Sequence, residues 1–315
     1  TTTGAEEGIY ADNNGTGALS ITTTGTTTGE TKDGIYATND GTSLTIVTGE
    51  FDAEGNLIKS VDTTGGTNGI KAKNLGTGAL SITTTGKTTG GTGHGIYAYN
   101  AGSGGTSITV ASTGSIVTSA DGGHGIYNKS SGTAAKLNEI TVAGSITTAG
   151  EGAHGIVQDG GTSIANISGT VSAKGKLAAA VFHKFGSGHT VNLEESALII
   201  GSISAANEAS NNILVYDEDA DYELTIGGEV DVETGSKDEI KGTGAGQWSF
   251  YIEDDDGQLS TKDPNGTEIE VVKVDNSECV ADTNACYTVV YEAPLVEENF
   301  DDISNIDNGA LIDSL

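Results

Sequence analysis

One phrase recurs through the first half of this chain, and it is clearest from Gly8 to Gly25. There Gly-Ile-Tyr-Ala leads through an Asn and a Gly-rich corner into Leu-Ser-Ile-Thr-Thr-Thr-Gly. The Gly-Ile opening returns at Gly34, Gly69, Gly95, Gly125 and Gly155, so successive copies start 26, 35, 26, 30 and 30 residues apart. Self-similarity at such a period marks a solenoid, in which each copy covers the apolar face of its neighbours. Gly15–Gly25 and Gly76–Gly86 are the same eleven residues, so a two-copy block stands duplicated 61 residues along.

Inside each copy the apolar residues alternate, as in Ile9 with Ala11, Leu19 with Ile21, and Ile140 with Val142. Alternation is the signature of strands with one buried face. A copy holds up to three such runs, for example those at Ile126, Ile140 and Ile146, with corners of Gly, Asn, Asp, Ser or Thr between them. No stretch of helix formers separates the strands, which excludes leucine-rich and βαβ repeats, and the lack of tandem hairpin signals excludes a propeller. The expectation is an all-β chain: a right-handed parallel β-helix of three strands per turn with a C-terminal β-hairpin cap. Residues 1–245 are assigned to the repeats, 246–292 to the cap and 293–315 to an acidic tail or linker. The 35-residue interval implies an insertion near Phe51–Leu57, read as a hairpin leaving a corner.

Aligning the copies on their opening Gly predicts three ladders. Asn13, Asn39, Asn74 and Asn100 share one register, where stacked amides would satisfy corner backbone groups. Tyr10, Tyr36, Tyr97 and Tyr127 share another, interrupted by Lys71. They are expected to face outward as an exposed stripe, either strand-stabilising or a binding platform for glycan or protein. The residue before the Gly runs Glu7, Asp33, Asn68, His94, His124, His154, which stacks three histidines at about the 4.8 Å strand spacing. A solvated corner ladder is the expectation there, without a metal, because zinc needs closer nitrogens than the backbone stack gives; a chelate made by converging rotamers is the alternative.

The chain has no Arg and a net charge of −30. Residues 1–190 hold 14 acids against 10 lysines, and 191–315 hold 30 against 4. So negative a field repels nucleic acid and anionic lipid, and nucleic-acid binding is set aside. The acid clusters at Asp217–Asp221 and Glu253–Asp256 match neither an EF-hand loop nor a calcium β-roll repeat and read as solvated corners. Cys279 and Cys286, with no neighbouring His to complete a zinc site, are expected to form a local disulfide, which belongs outside a reducing cytoplasm. The only Trp, Trp248, opens a segment with Phe250, Tyr251 and Ile252 and a turn at Pro264-Asn265-Gly266, read as antiparallel hairpins closing the solenoid end.

Together, the Gly-Ile-Tyr-Ala and Gly-Thr-Gly-Ala-Leu-Ser-Ile-Thr-Thr-Thr-Gly copies, the runs Ala197–Ser204 and Leu224–Gly228, and the Trp248 segment resemble the passenger region of type V autotransporters. That resemblance covers roughly residues 4–292. It implies export to the cell surface or medium, a folding cap over 246–292, and a continuation of the gene past Leu315 into a membrane barrel, with a signal peptide upstream. Pectate lyases and polysaccharide hydrolases built on β-helices rely on arginine-containing sites that this chain lacks, and Gly123-His124-Gly125 has no paired carboxylates at a coherent spacing. A serine-protease passenger would carry a separate globular domain ahead of the repeats, which residues 1–7 do not supply. The expected protein is therefore non-enzymatic and without cofactor, an adhesin or scaffold. Its expected partner is a host or neighbouring-cell surface protein or glycan, or itself in a self-assembling filament.

Overall fold

In the computed structural model, residues 1–131, 137–228, 246–262, 266, 269–274, 280, 282–283 and 285–293 are described. They form a β-helix of stacked parallel strands whose turns run in register through three sheets. The threonine face begins with Thr2–Gly4, Thr27–Gly29, Thr63–Gly65 and Lys87–Gly90 and ends with its eighth strand at Leu198–Ile200. The tyrosine face begins with Ile9–Asn13, Ile35–Asn39, Ile70–Asn74, Ile96–Asn100, Ile126–Ser130 and Ile156–Asp159. The isoleucine face begins with Leu19–Thr23, Leu44–Thr48, Leu80–Thr84, Thr106–Val110 and Leu137–Val142.

Period-2 patterning places the core where the alternation predicts it. Ile35 and Ala37, Leu44 and Ile46, Ile70 and Ala72, Leu80 and Ile82 are all fully buried, and each stacks on its equivalent one turn away. Each buried aliphatic of this size contributes roughly 1.5–3 kcal/mol. On the threonine face the same inward position changes from Thr27, Thr63 and Thr88 to Ile116, Ile146 and Val171, so the interior becomes more apolar along the axis.

The opening Gly of the phrase has a steric cause. A Cβ on Gly34, Gly69, Gly95 or Gly125 would lie 2.5–2.7 Å from the carbonyl oxygen of the equivalent Gly one turn on. On Gly125 it would also lie 2.3 Å from Cγ2 of Ile146. Coil stacking at strand spacing leaves no room for a methyl group there.

Glu50–Phe51 pairs antiparallel with Leu57–Lys59, the hairpin expected at the long interval, and Asp52 closes its turn by accepting from the Asn56 backbone at 2.7 Å. The C-terminal end departs from expectation. Trp248–Glu253 pairs in parallel with Asn212–Asp217 and so continues the isoleucine face for another turn. Antiparallel pairing starts beyond it, where Leu259–Ser260 returns on Ile252 and Glu253, and where Cys286–Tyr291 lies between Tyr222–Gly227 and Glu270–Val274. Trp248 and Phe250 are inward, fully buried residues of a solenoid strand, and the Trp248 indole donates to the Gly227 carbonyl at 3.2 Å. The predicted turn residues Pro264 and Asn265, and the tail from residue 294 on, lie outside the described residues.

Candidate functional site

The residues singled out by register converge on the tyrosine face and the corners at its two ends. The fifth position of each opening strand points inward, and there the Asn ladder closes through its side chains. Asn13 Nδ2 donates to Asn39 Oδ1 at 2.7 Å, Asn39 to Asn74 at 2.8 Å, and Asn74 to Asn100 at 3.1 Å. Asn74 and Asn100 also donate to the carbonyls of Gly78 and Gly104 at 2.8 Å, so each amide ties a corner loop to the coil stack. Asn39, Asn74 and Asn100 are completely buried.

At the opposite corner the ladder works by a relay from side chain to backbone. Asp33 Oδ1 accepts from the Asn68 backbone N–H, and Asn68 Oδ1 accepts from that of His94 at 2.8 Å. His94 Nδ1 then accepts from His124 N at 3.1 Å, His124 Nδ1 from His154 N at 3.0 Å, and His154 Nδ1 from Ala179 N at 2.9 Å. Each Nδ1 faces a donor, so each imidazole is neutral with its proton on Nε2. The rings stack at 5.0 Å centroid spacing, within 14° of parallel.

This corrects the expectation of a solvated corner. His154 is buried and His94 and His124 are half-buried, because Tyr97, Tyr127 and Phe182 close over the rings. Burial lowers the His94 and His154 pKa values to about 4, with the Lys71 and Lys184 charges as secondary causes. For His124, burial followed by its two histidine neighbours and Lys184 lowers it to about 2. A metal would need nitrogens converging at about 2.0–2.1 Å, whereas every Nδ1 here is committed to a backbone donor.

The tyrosine stripe exists, but the expectation that it is exposed holds only at its first member. Tyr10 is 62% exposed, while Tyr36, Tyr97 and Tyr127 are half-buried. The cause is mutual stacking. Tyr10 covers Tyr36 at 5.2 Å, Lys71 Nζ sits 5.4 Å from the Tyr36 ring, and Tyr97 covers Tyr127 at 5.6 Å. Lys184 Nζ caps Tyr127 at 6.0 Å, and the Tyr127 hydroxyl donates to the Asp159 carboxylate. Burial raises the Tyr127 pKa, so that donor keeps its proton. At Tyr36 and Tyr127 the ring faces that a sugar would stack on are taken by other side chains, whereas Tyr10 keeps one face open.

The acidic corners meet in one cleft of about 310 Å³ lined by Glu194, Asp217, Glu218, Glu253, Asp254 and Asp255. Among the described residues no group of three or more His, Cys, Asp or Glu is arranged to hold a metal ion. Cys286 is disulfide-bonded, and Cys279 lies outside the described residues. Among the described residues no helix is long and apolar enough to cross a membrane, which says nothing about membrane strands.

Register reasoning missed a second inward row. The Ala of the phrase, Ala98, is replaced one turn on by Asn128, then by Gln158 and His183. Facing it across the corner runs Thr106, Asn138, Ser163 and His189. The signal was present as polar residues at positions where the aligned copies carry Ala. No protein-family model, curated protein or solved structure matches this chain.

Proposed function

We propose that this chain is an exported, surface-exposed or secreted β-helical passenger that acts as an adhesin or structural scaffold. The observation that carries this reading is the use of its repeated chemistry. Amide, imidazole and phenol side chains that would serve a catalytic cleft are engaged in joining one coil to the next. What such a rod offers a partner is a long, rigid outer surface of hydroxyls, backbone edges and carboxylates. The disulfide at Cys286 fits an oxidising compartment, and the charge of −30 disfavours nucleic acid and anionic membrane as partners.

Beads coated with the purified chain test the proposal against cultured cells. Attachment several-fold above uncoated beads, competed by the soluble chain, is the expected result. Failure of folded protein to attach to any cell type, or release of reducing sugars from polysaccharides, would overturn it.

A filament subunit is the second reading, favoured by the strands Thr2–Gly4, Ile9–Asn13 and Leu19–Thr23. They form the outer edge of all three sheets, with Ile9, Ala11 and Leu19 only partly covered. Negative-stain microscopy and concentration-dependent sedimentation separate the two: fibres favour the filament and monomers the adhesin.

A further inference from the structure

The inward polar row contains atoms that the protein itself does not satisfy. Buried hydroxyls rotate to find acceptors, but planar amides and imidazoles have no such freedom. Besides His189 Nε2, which lies by the Phe185 backbone, four planar atoms in the two rows lack a hydrogen-bond partner: Asn128 Oδ1, Asn138 Oδ1, Gln158 Nε2 and His183 Nε2. All four residues are at most 1% exposed.

Their orientations are determined by what they already bind. Asn212 Nδ2 donates to the carbonyls of Gln247 and Ala209, at 2.9 and 3.4 Å, which turns Asn212 Oδ1 toward His183 Nδ1 at 3.1 Å. His183 Nδ1 therefore carries the proton and its Nε2 is a bare acceptor. Asn138 Nδ2 donates to the Thr162 and Gly160 carbonyls, at 3.2 and 3.4 Å, which leaves its Oδ1 turned inward. Asn128 Nδ2 donates to Gln158 Oε1 at 2.8 Å. Turning both of those amides over only exchanges which two atoms are left unmet.

Register supplies the proximity. Gln158 pairs with His183 on adjacent coils, a donor beside an acceptor. The His183 and His189 rings lie 4.5 Å apart across the corner, and one row back along each strand stack come Gln158 and Ser163, then Asn128 and Asn138. Asn128 and Asn138 therefore stand two coils back from the His183–His189 contact on the same two stacks, each with an unmet acceptor, and the hydroxyls of Thr106 and Ser130, also unpartnered, stand beside them.

We propose that the solenoid interior at this corner binds at least two ordered water molecules. One accepts from Gln158 Nε2 and donates to His183 Nε2; the other donates to both Asn128 Oδ1 and Asn138 Oδ1. Water fits because it alone supplies two donors at one point and a donor with an acceptor at the other. A monovalent cation would suit the oxygens of the second point, but no carboxylate is present to offset a buried charge. The bound water makes three consecutive coils a hydrated segment within an otherwise aliphatic core.

Crystals of the full chain, diffracting to atomic resolution and grown with rubidium, decide the matter. The expected result is two density peaks without anomalous signal, each about 2.7–3.2 Å from the named atoms. In solution, oxygen-17 relaxation dispersion is expected to show at least two long-lived waters. Anomalous peaks at these points would overturn the proposal in favour of a cation. Empty density with the amides paired directly to one another, or no long-lived water, would overturn it outright.

Discussion

His154 accepts the Ala179 N–H at Nδ1 while its own backbone N–H reaches His124, so protonation at Nδ1 breaks a coil-to-coil bond. Its pKa is about 4 in the folded chain against 6.5 for an unperturbed histidine, so between those values the unfolded chain binds more protons. Stability is therefore complete above about pH 6.5 and falls as pH drops toward 4, by up to roughly 3 kcal/mol for this residue. The more exposed His94 contributes less, discounted for solvent screening. Asn68 performs the same accepting role without titrating, so His154→Asn is expected to keep the bond and make the dependence shallower by this residue's share, the other buried histidines keeping theirs. Urea unfolding of both proteins from pH 4 to 8 checks this; parallel curves would show that the relay does not control acid stability. At the other corner, Asn74→Ala leaves the Asn39 Nδ2 donor buried without its acceptor and is expected to cost about 1–3 kcal/mol. Asn13→Ala, at the half-exposed end of the ladder, should cost distinctly less, and equal losses would argue against the buried ladder as the source.

Strands in this fold are short, five residues each at Ile35–Asn39, Ile70–Asn74 and Ile96–Asn100, and no coil buries its inward face alone. The close approach that lets them do so depends on the Gly that opens the first six strands of the tyrosine face. Gly125→Ala would push a methyl group onto Ile146 and the Gly155 carbonyl, at 2.3 and 2.5 Å. Overpacking of this kind is expected to cost about 1–3 kcal/mol, read as a lower thermal midpoint by circular dichroism. At Gly55 a Cβ would meet nothing within 4 Å, but φ is +85°. Gly55→Asn, an Asn being tolerant of that region, is the control expected to leave the midpoint nearly unchanged.

For the molecule as a whole, the C-terminal end combines the last parallel turn with an antiparallel closure. Trp248 stacks 5.2 Å from His183 and is fully buried, while Tyr216 lies 5.1 Å from Tyr222 and 6.1 Å from Tyr291 across the closing strands. Trp248→Ala is expected to destabilise by about 3–5 kcal/mol. Because solenoid coils couple mainly to their neighbours, the loss should concentrate at this end. Hydrogen exchange is the measurement: amides of 203–227 and 286–291 should exchange faster while those of 35–110 change little. Uniform acceleration would mean that the whole rod unfolds as one unit.

Gly-Ile phrases at regular spacing were enough to place Ile35 over Ile70 and Asn39 over Asn74, because in a parallel stack sequence register is spatial adjacency. The alternation likewise determined which of Ile, Tyr and Ala face inward. What the tertiary structure decided was environment. Whether His124 is wet depends on Tyr127, which stacks on it from the adjacent strand, and on Lys184, which caps that tyrosine from another coil, and no local pattern encodes that approach. Whether Tyr97 offers a ring face depends on its neighbour one turn away filling that face. Trp248 joined the solenoid because Asn212–Asp217 offered a parallel edge, and the pairing leaves no repeat to read since the two strands share no phrase. Local alternation sets which side of a strand is buried, but only the stacked coils set how deeply and against what.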